Sequence, residues 1–315
     1  MKPRILPLLV ALLVPACAAL ADGAPAPPAK KILFFSKSSG YEHGVIKLPT
    51  TAFSPGGGNL VAGTAFAVLR ELGAKNAIEF VFSKDGSLFT PQYLAQFDAY
   101  FFVTTGDLTT PGTDGNPPMT PAGKQALLDA VAGGKGFIGA HCATDTFHSQ
   151  GGMKDRTPSR YMNDGDNADP YIKMIGGEFV IHGRQQKAHL IVADPKFPGI
   201  SAVPLDNDAT EEWYSLKNFA DNLHVLLVQD TLGMSGIEYR RPNYPSTWAR
   251  MYGKGRVFYT NMGHRDDIWN GPVFQSVLMG GINWAVGRVD ADVTPNLADA
   301  APQASVLPPE PPAKN

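Results

Sequence analysis

Three histidines stand near the ends of β-like runs, each with a carboxylate within four residues: His43 beside Glu42, His141 before Asp145, and His264 before Asp266 and Asp267. Imidazole titrates near neutrality and serves as a general acid or base. Neutral imidazole is also a zinc ligand, and a catalytic zinc takes three ligands from the protein. His43, His141 and His264 meet that count, with Glu42, Asp145 or Asp266 as a fourth ligand or an outer partner. No HExxH or similar local motif is present. A divalent metal such as zinc and metal-free acid/base catalysis therefore both stay open, and no cofactor is fixed by spacing alone. His264 follows Gly263, a residue free to take a positive φ, and Asp266 or Asp267 is placed to hold one of its ring nitrogens. In Glu211-Glu212-Trp213-Tyr214, strand alternation puts Glu212 and Tyr214 on one face, with Glu212 as the site-facing carboxylate. Centring a turn within Gly183–Ala188 predicts a hairpin in which His182 and His189 face each other.

Four largely apolar runs must position these residues: Lys31–Ser36, Ile78–Phe82, Asp98–Thr104 and Gly136–Ala140. Between them, Leu60–Leu72 has helical apolar spacing after the Ser54–Asn59 break. A second helix opens at Thr120-Pro121 and closes at Gly133-Gly134. Apolar strands alternating with helices predict an α/β fold with a parallel sheet covered on both faces. In such sheets, sites form outside the carboxyl ends of the strands. The second half changes to short strand-like runs at Glu178–His182, Ala188–Ala193, Glu211–Leu216, His224–Gln229, Thr247–Tyr252 and Gly255–Thr260, followed by a helix over Pro272–Val286. These predict an antiparallel extension of the same domain. Gly56-Gly57-Gly58 lacks the GK[ST] step of a phosphate loop, which argues against a nucleotide site.

Of 315 residues, 43% are hydrophobic and 18% charged, which suits a folded chain with a large core. The net charge of −2 without a Lys/Arg run gives nucleic acid no purchase. Lys2 and Arg4, the apolar stretch Ile5–Val14 and Ala19-Leu20-Ala21 read as a secretory signal over residues 1–21. The protein is therefore expected outside the cytoplasm, periplasmic or extracellular. Val14-Pro15-Ala16-Cys17 offers a lipid-anchored alternative at Cys17. No later apolar run is long enough to span a bilayer. Residues 22–30 read as a Pro/Ala-rich linker, 31–289 as the folded domain and 290–315 as a disordered Ala/Pro-rich tail. Cys17 and Cys142 are the two cysteines, so no disulfide framework exists.

The segments SSGYEHG, GKGFIGAHCATDT, YIKMIGGEFVIHG, TEEWY, STWARMYGKGRVFYTNMGHRDDIW and GGINWAVGR occur in that order between about Lys31 and Arg288. In this the chain resembles the trehalose-utilisation (ThuA-like) family. The resemblance implies a flavodoxin-like core similar to class I glutamine amidotransferases. Amidotransferases of this fold carry their nucleophile in a Gly-x-Cys-x-Gly turn. The matching stretch here is Gly139-Ala140-His141-Cys142-Ala143, with His141 at the nucleophile position and Cys142 one place late. His264-Arg265-Asp266 resembles the fold's His-x-Glu pair. Glutamine hydrolysis is therefore not expected, while base and orienting carboxylate are retained. The resemblance also implies a small carbohydrate as partner, a disaccharide or keto-disaccharide. On this reading His141, His264 and Asp266 are catalytic, and His43, Asp145, His182, Glu212 and Tyr214 bind substrate. Trp213, Tyr214, Trp248 and Trp269 are candidates to stack on a sugar ring or to pack in the core. A hydrolase, lyase or isomerase of sugar catabolism, a non-catalytic carbohydrate-binding module and a Cys142-dependent hydrolase are the competing readings. The oligomeric state is left open.

Overall fold

Residues 29–48, 62–149 and 158–310 are described by the structure, a computed structural model. The secretory signal, Cys17, residues 22–28 of the linker, the Ser54–Asn59 break and residues 311–315 of the tail lie outside the described residues. In chain order the elements are β1 (Lys30–Phe35), α1 (Thr64–Lys75), β2 (Ile78–Ser83), α2 (Pro91–Leu94), β3 (Ala99–Phe102), α3 (Pro121–Ala132), β4 (Gly136–Ala140), α4 (Pro170–Ile175), β5 (Glu178–His182), β6 (Gln186–Val192), β7 (Asp208–Glu211), β8 (Tyr214–Lys217), β9 (His224–Gln229), β10 (Tyr244–Tyr252), β11 (Gly255–Thr260), α5 (Asp266–Asn270), α6 (Pro272–Ala285) and α7 (Leu297–Ala300).

One sheet runs in the order β2-β1-β3-β4-β11-β10-β9-β6-β7, and β5 pairs with β8 in a small second sheet. From β2 to β11 neighbouring strands are parallel. From β11 to β7 they are antiparallel. This is the α/β architecture with an antiparallel extension that the sequence predicts. The centre of the parallel part is apolar on both faces because helices cover both. Phe34 and Phe101 meet Phe66 of α1 at 5.7 Å and Trp269 of α5 at 6.3 Å. Their neighbours Phe35 and Phe102 point the other way, to Phe89 at 4.5 Å and Tyr171 of α4 at 6.2 Å. The alternation along each strand thus fills two cores. Helix α6 lies very close to β11: a Cβ on Gly281 would stand 2.4 Å from the Phe258 ring.

Four expectations are corrected. The first helix begins at Thr64 instead of Leu60, because Gly63 must pass the loop after β1, where an added Cβ would meet the Val45 carbonyl oxygen at 2.2 Å. Strands β5 and β6 do not form a hairpin. His182 pairs with Tyr214 and His189 with Asp208, so the two histidines do not face each other. The groups that would close the hairpin are engaged elsewhere. Gly183 N donates to Tyr239 Oη (3.0 Å), and the Gln186 side chain bonds Ser235 N (2.7 Å) and Ser235 O (2.9 Å). The predicted run Glu211–Leu216 is likewise split between β7 and β8, with Glu212 and Trp213 crossing from one sheet to the other.

The fourth correction concerns the tail, which packs along the sheet over residues 290–310. Asn296 clasps Val225, accepting from its N–H at 2.6 Å and donating to its carbonyl at 3.1 Å. Ala301 and Ala304 are buried against Tyr244, and Arg241 Nη2 donates to Ala304 O at 2.7 Å. Alanine suits this shallow seat because it loses no side-chain entropy on burial. Removing residues 294–315 strips the buried Arg241 of a carbonyl and is expected to cost about 2–4 kcal/mol, read as a melting temperature lower by roughly 5–10 °C. An unchanged melting temperature would show that the strap adds no stability.

Candidate metal centre

His43, His141 and His264 converge at the carboxyl edge of β1, β4 and β11, and Glu212 joins them from the crossing between β7 and β8. Each is held by its own device. The loop after β1 is laced to the end of β3: Gly40 N donates to Thr105 O (3.2 Å), and Thr105 Oγ1 donates to Tyr41 O (2.9 Å). Lys84 pairs with Glu42 at 2.9 Å beside His43. His141 takes φ +46°, a left-handed conformation uncommon for a side-chain-bearing residue, at the turn leaving β4. Such a position costs on the order of 1–2 kcal/mol and turns the ring out over the strand end. The His264 turn uses Gly263 at φ +127°, as the sequence predicts. The buried Glu211 carboxylate accepts from Gly263 N (2.9 Å) and His264 N (3.1 Å), and Trp269 Nε1 donates to Gly263 O (2.8 Å).

Four ligand atoms, one from each of His43, His141, His264 and Glu212, lie within 4.8 Å of one another. Glu212 Oε2 stands 3.1 Å from His264 Nδ1, 3.5 Å from His141 Nε2 and 3.9 Å from His43 Nε2. His264 Nδ1 and His141 Nε2 are 3.3 Å apart. The three rings are nearly perpendicular in pairs, with centroids 5.0–5.1 Å apart. Ligands about 2.1 Å from a tetrahedral ion are separated by about 3.4 Å, close to most of these distances. His141 Nδ1 faces Asn261 O at 3.2 Å. Its proton belongs on Nδ1, which leaves the Nε2 lone pair for a metal. The other Glu212 oxygen, Oε1, lies 3.4 Å from His182 Nδ1. His43, His141, His264 and Glu212 therefore fit a divalent ion of zinc's kind.

Charge follows from the same contacts. Burial pushes the His141 ring well below the ordinary histidine range, against the pull of Glu212, so it stays neutral. Burial alone would raise Glu212, but hydrogen bonds with His141, His264 and His43 outweigh it and hold the carboxyl far down. For His264, burial disfavours the charged form, and the Glu212 hydrogen bond and charge overcome it and raise the pKa. Burial raises Glu211 despite the backbone N–H groups it accepts. Burial also pushes up the Tyr214 hydroxyl, with Asp145 adding to it.

The predicted residues divide. His43, His141, His264, Glu212 and Tyr214 meet, and His182 stands at the rim with 41% of its side chain exposed. Asp266 does not hold His264; it accepts from Thr64 Oγ1 at 2.6 Å, because α5 begins there and turns it toward α1. Asp145 is drawn away by His148 Nε2 at 2.7 Å and Glu42 by Lys84, so Glu212 supplies the fourth ligand position. Trp213, Trp248 and Trp269 are buried, each with its ring N–H on a backbone carbonyl, and present no stacking surface. The exposed ring beside the cluster is Tyr41, 69% exposed and 5.0 Å from the His43 ring. Its place two residues before His43 was the only sequence signal for it. Cys142 is buried, and its thiol is pushed far up by burial and by Asp145, which leaves no thiolate for nucleophilic attack.

A mixed sheet with a parallel core, helices on both faces and a histidine and carboxylate cluster at the carboxyl edge of that core defines an α/β class of protein. The chain belongs to the ThuA family, described as trehalose utilisation, whose sequence profile matches residues 31–285. Membership supports a sugar-related role. No protein of curated function matches the chain in sequence. Among solved structures, a ThuA-like protein of Bacteroides uniformis superposes with a TM-score of 0.57 at 18% identity, over 84% of this chain and 95% of its own. A ThuA-like protein of Parabacteroides merdae gives 0.52 at 19% identity, over 84% and 92%. At such identities the likeness concerns the fold alone.

A second buried cluster escaped the sequence reading, because Glu178, which completes it, lies 30 residues from His148 in the chain. His148 lies between Asp145 (2.7 Å to Nε2) and Glu178 (3.1 Å to Nδ1). Burial opposes its charge, but the hydrogen bonds to Asp145 and Glu178 prevail and raise its pKa to about 9. A folded-state pKa above the unfolded value near 6.5 stabilises fully below about pH 6.5 and is lost as pH rises through about 9. The wild-type protein is expected to lose about 3 kcal/mol of unfolding free energy across that window, relative to His148→Asn. Denaturant titrations of both proteins at pH 6.5 and 10 check this; parallel pH profiles would contradict it.

Proposed function

We propose that the protein is a metal-dependent enzyme acting on a disaccharide or its keto form, with His43, His141, His264 and Glu212 as metal ligands. The observation that carries this reading is the convergence of four ligand atoms within 4.8 Å, three of them neutral-capable ring nitrogens around one ionised carboxylate. A bound divalent ion would supply Lewis acidity toward a keto or hydroxyl oxygen of the sugar. The chain's own part is to orient and to move protons. Glu212 uses Oε2 toward the histidines and Oε1 toward His182, which joins the cluster to the solvent-facing rim. His182 is placed to carry a proton between the site and water. Tyr41 offers an exposed aromatic face for a sugar ring. Family membership supports the sugar, and the composition of residues 1–21 supports export to the periplasm or beyond. A second reading, metal-free acid/base catalysis by the Glu212–His264 pair, is favoured by their 3.1 Å contact.

Elemental analysis of the purified protein, with turnover of trehalose and keto-trehalose before and after chelation, separates the two. One metal per chain, activity lost on chelation and restored by zinc are expected, and His264→Ala is expected to lower turnover at least about a hundredfold. Full activity of the metal-free protein would overturn the metal reading. Tyr41→Ala is expected to raise KM about 2- to 10-fold with kcat unchanged, the scale of one ring contact. An unchanged KM would remove Tyr41 from the substrate site.

A further inference from the structure

We propose that the Tyr214 hydroxyl is a catalytic hydrogen-bond donor to the substrate oxygen that approaches the metal centre, an inference that rests on the metal-centre reading above. Tyr214 is held from several sides. Its ring lies between Phe179 and His141, with both centroids at 4.2 Å. Asn261 clasps its backbone, accepting from its N–H at 3.3 Å and donating to its carbonyl at 3.0 Å. Tyr244 Oη donates to the same carbonyl at 3.1 Å. The side chain has almost no exposure, at 2%. Its aim is therefore fixed by the fold and not by solvent.

The hydroxyl has a single hydrogen-bond partner among the described residues, His43 Nε2 at 3.3 Å. That nitrogen is also the His43 atom that faces Glu212 Oε2. A ring nitrogen has one lone pair. It can accept the Tyr214 O–H or bind a metal, and cannot do both. His43 Nδ1 is buried without a partner, so the ring has no compensating contact that would favour a flip. Once the lone pair is committed, the Tyr214 O–H is left beside the centre without its acceptor. A buried hydroxyl without a partner is unfavourable, which creates a demand for an oxygen at that spot. A keto or hydroxyl oxygen of the sugar, drawn to the ion, answers it. The same donor would then strengthen its bond as negative charge grows on that oxygen, which is the condition for a catalytic role.

The rival account is that Tyr214 turns to Glu212 and supports the ligand set. The two differ in what Tyr214→Phe changes. Cobalt(II) is titrated into metal-free wild type and Tyr214→Phe, and azide is then titrated into each cobalt protein while the visible spectrum is followed. The inference predicts cobalt affinities equal within about twofold and an azide Kd raised about tenfold in the variant. With zinc and keto-trehalose, kcat is expected to fall about a hundredfold while KM changes little. Equal azide affinities would overturn the inference and leave the metal centre standing, as would weaker cobalt binding with unchanged azide binding. A wild-type protein that takes up no cobalt would overturn the metal reading and this inference with it.

Discussion

A carboxylate with 14% of its side chain exposed sits among three imidazole rings, and the geometry around it follows from the need to compensate that charge. Glu212 reaches this place because the chain crosses from β7 to β8 between two sheets at this residue. The residue before it is equally constrained. Glu211 turns the opposite way and gathers the N–H groups of Gly263 and His264. One dipeptide thus fixes the His264 turn with its first carboxylate and engages the His264 ring with its second. Asn261 adds a third tie, between β11 and the start of β8, while its carbonyl orients His141. Loosening this crossing would displace two of the three histidines together.

His141 shows how the fold and the chemistry are joined. In a parallel sheet the chain leaves each strand at the same edge, and here the residue that leaves β4 is His141, in a left-handed conformation with its ring fully buried. The buried Cys142 next in sequence packs as a small apolar group. The turn after β4 thus presents an imidazole toward Glu212 and keeps the neighbouring thiol inside the core.

Much of this was legible in the sequence, for a physical reason. The runs KILFFS, DAYFFVT and GFIGA are apolar on both faces, which implies a parallel sheet and therefore a shared edge for His43 and His141. His264, in contrast, follows a run read as part of the antiparallel extension and reaches that edge because β11 pairs parallel with β4. Glu212 and Tyr214 were found by strand alternation, although the strand itself is broken between them. Proximity in sequence failed for Asp266 and Asp145. Asp266 is taken by Thr64 of α1, remote in the chain, and Asp145 by His148, three residues on, a ring that Glu178 also holds from β5. The His182–His189 pairing failed because the residues at 235–239 capture the turn. The tail was misread because alanine and proline composition resembles disorder, whereas Asn296 and the seat beside Tyr244 give it specific anchors.

The central claim is that this edge of the sheet holds one metal ion between four named side chains. Anomalous diffraction from crystals of the zinc-loaded protein, collected on both sides of the zinc edge, addresses it directly. The account predicts a single strong peak about 2.0–2.2 Å from His43 Nε2, His141 Nε2, His264 Nδ1 and a Glu212 oxygen. No peak at that position, with the four side chains still packed against one another, would contradict it.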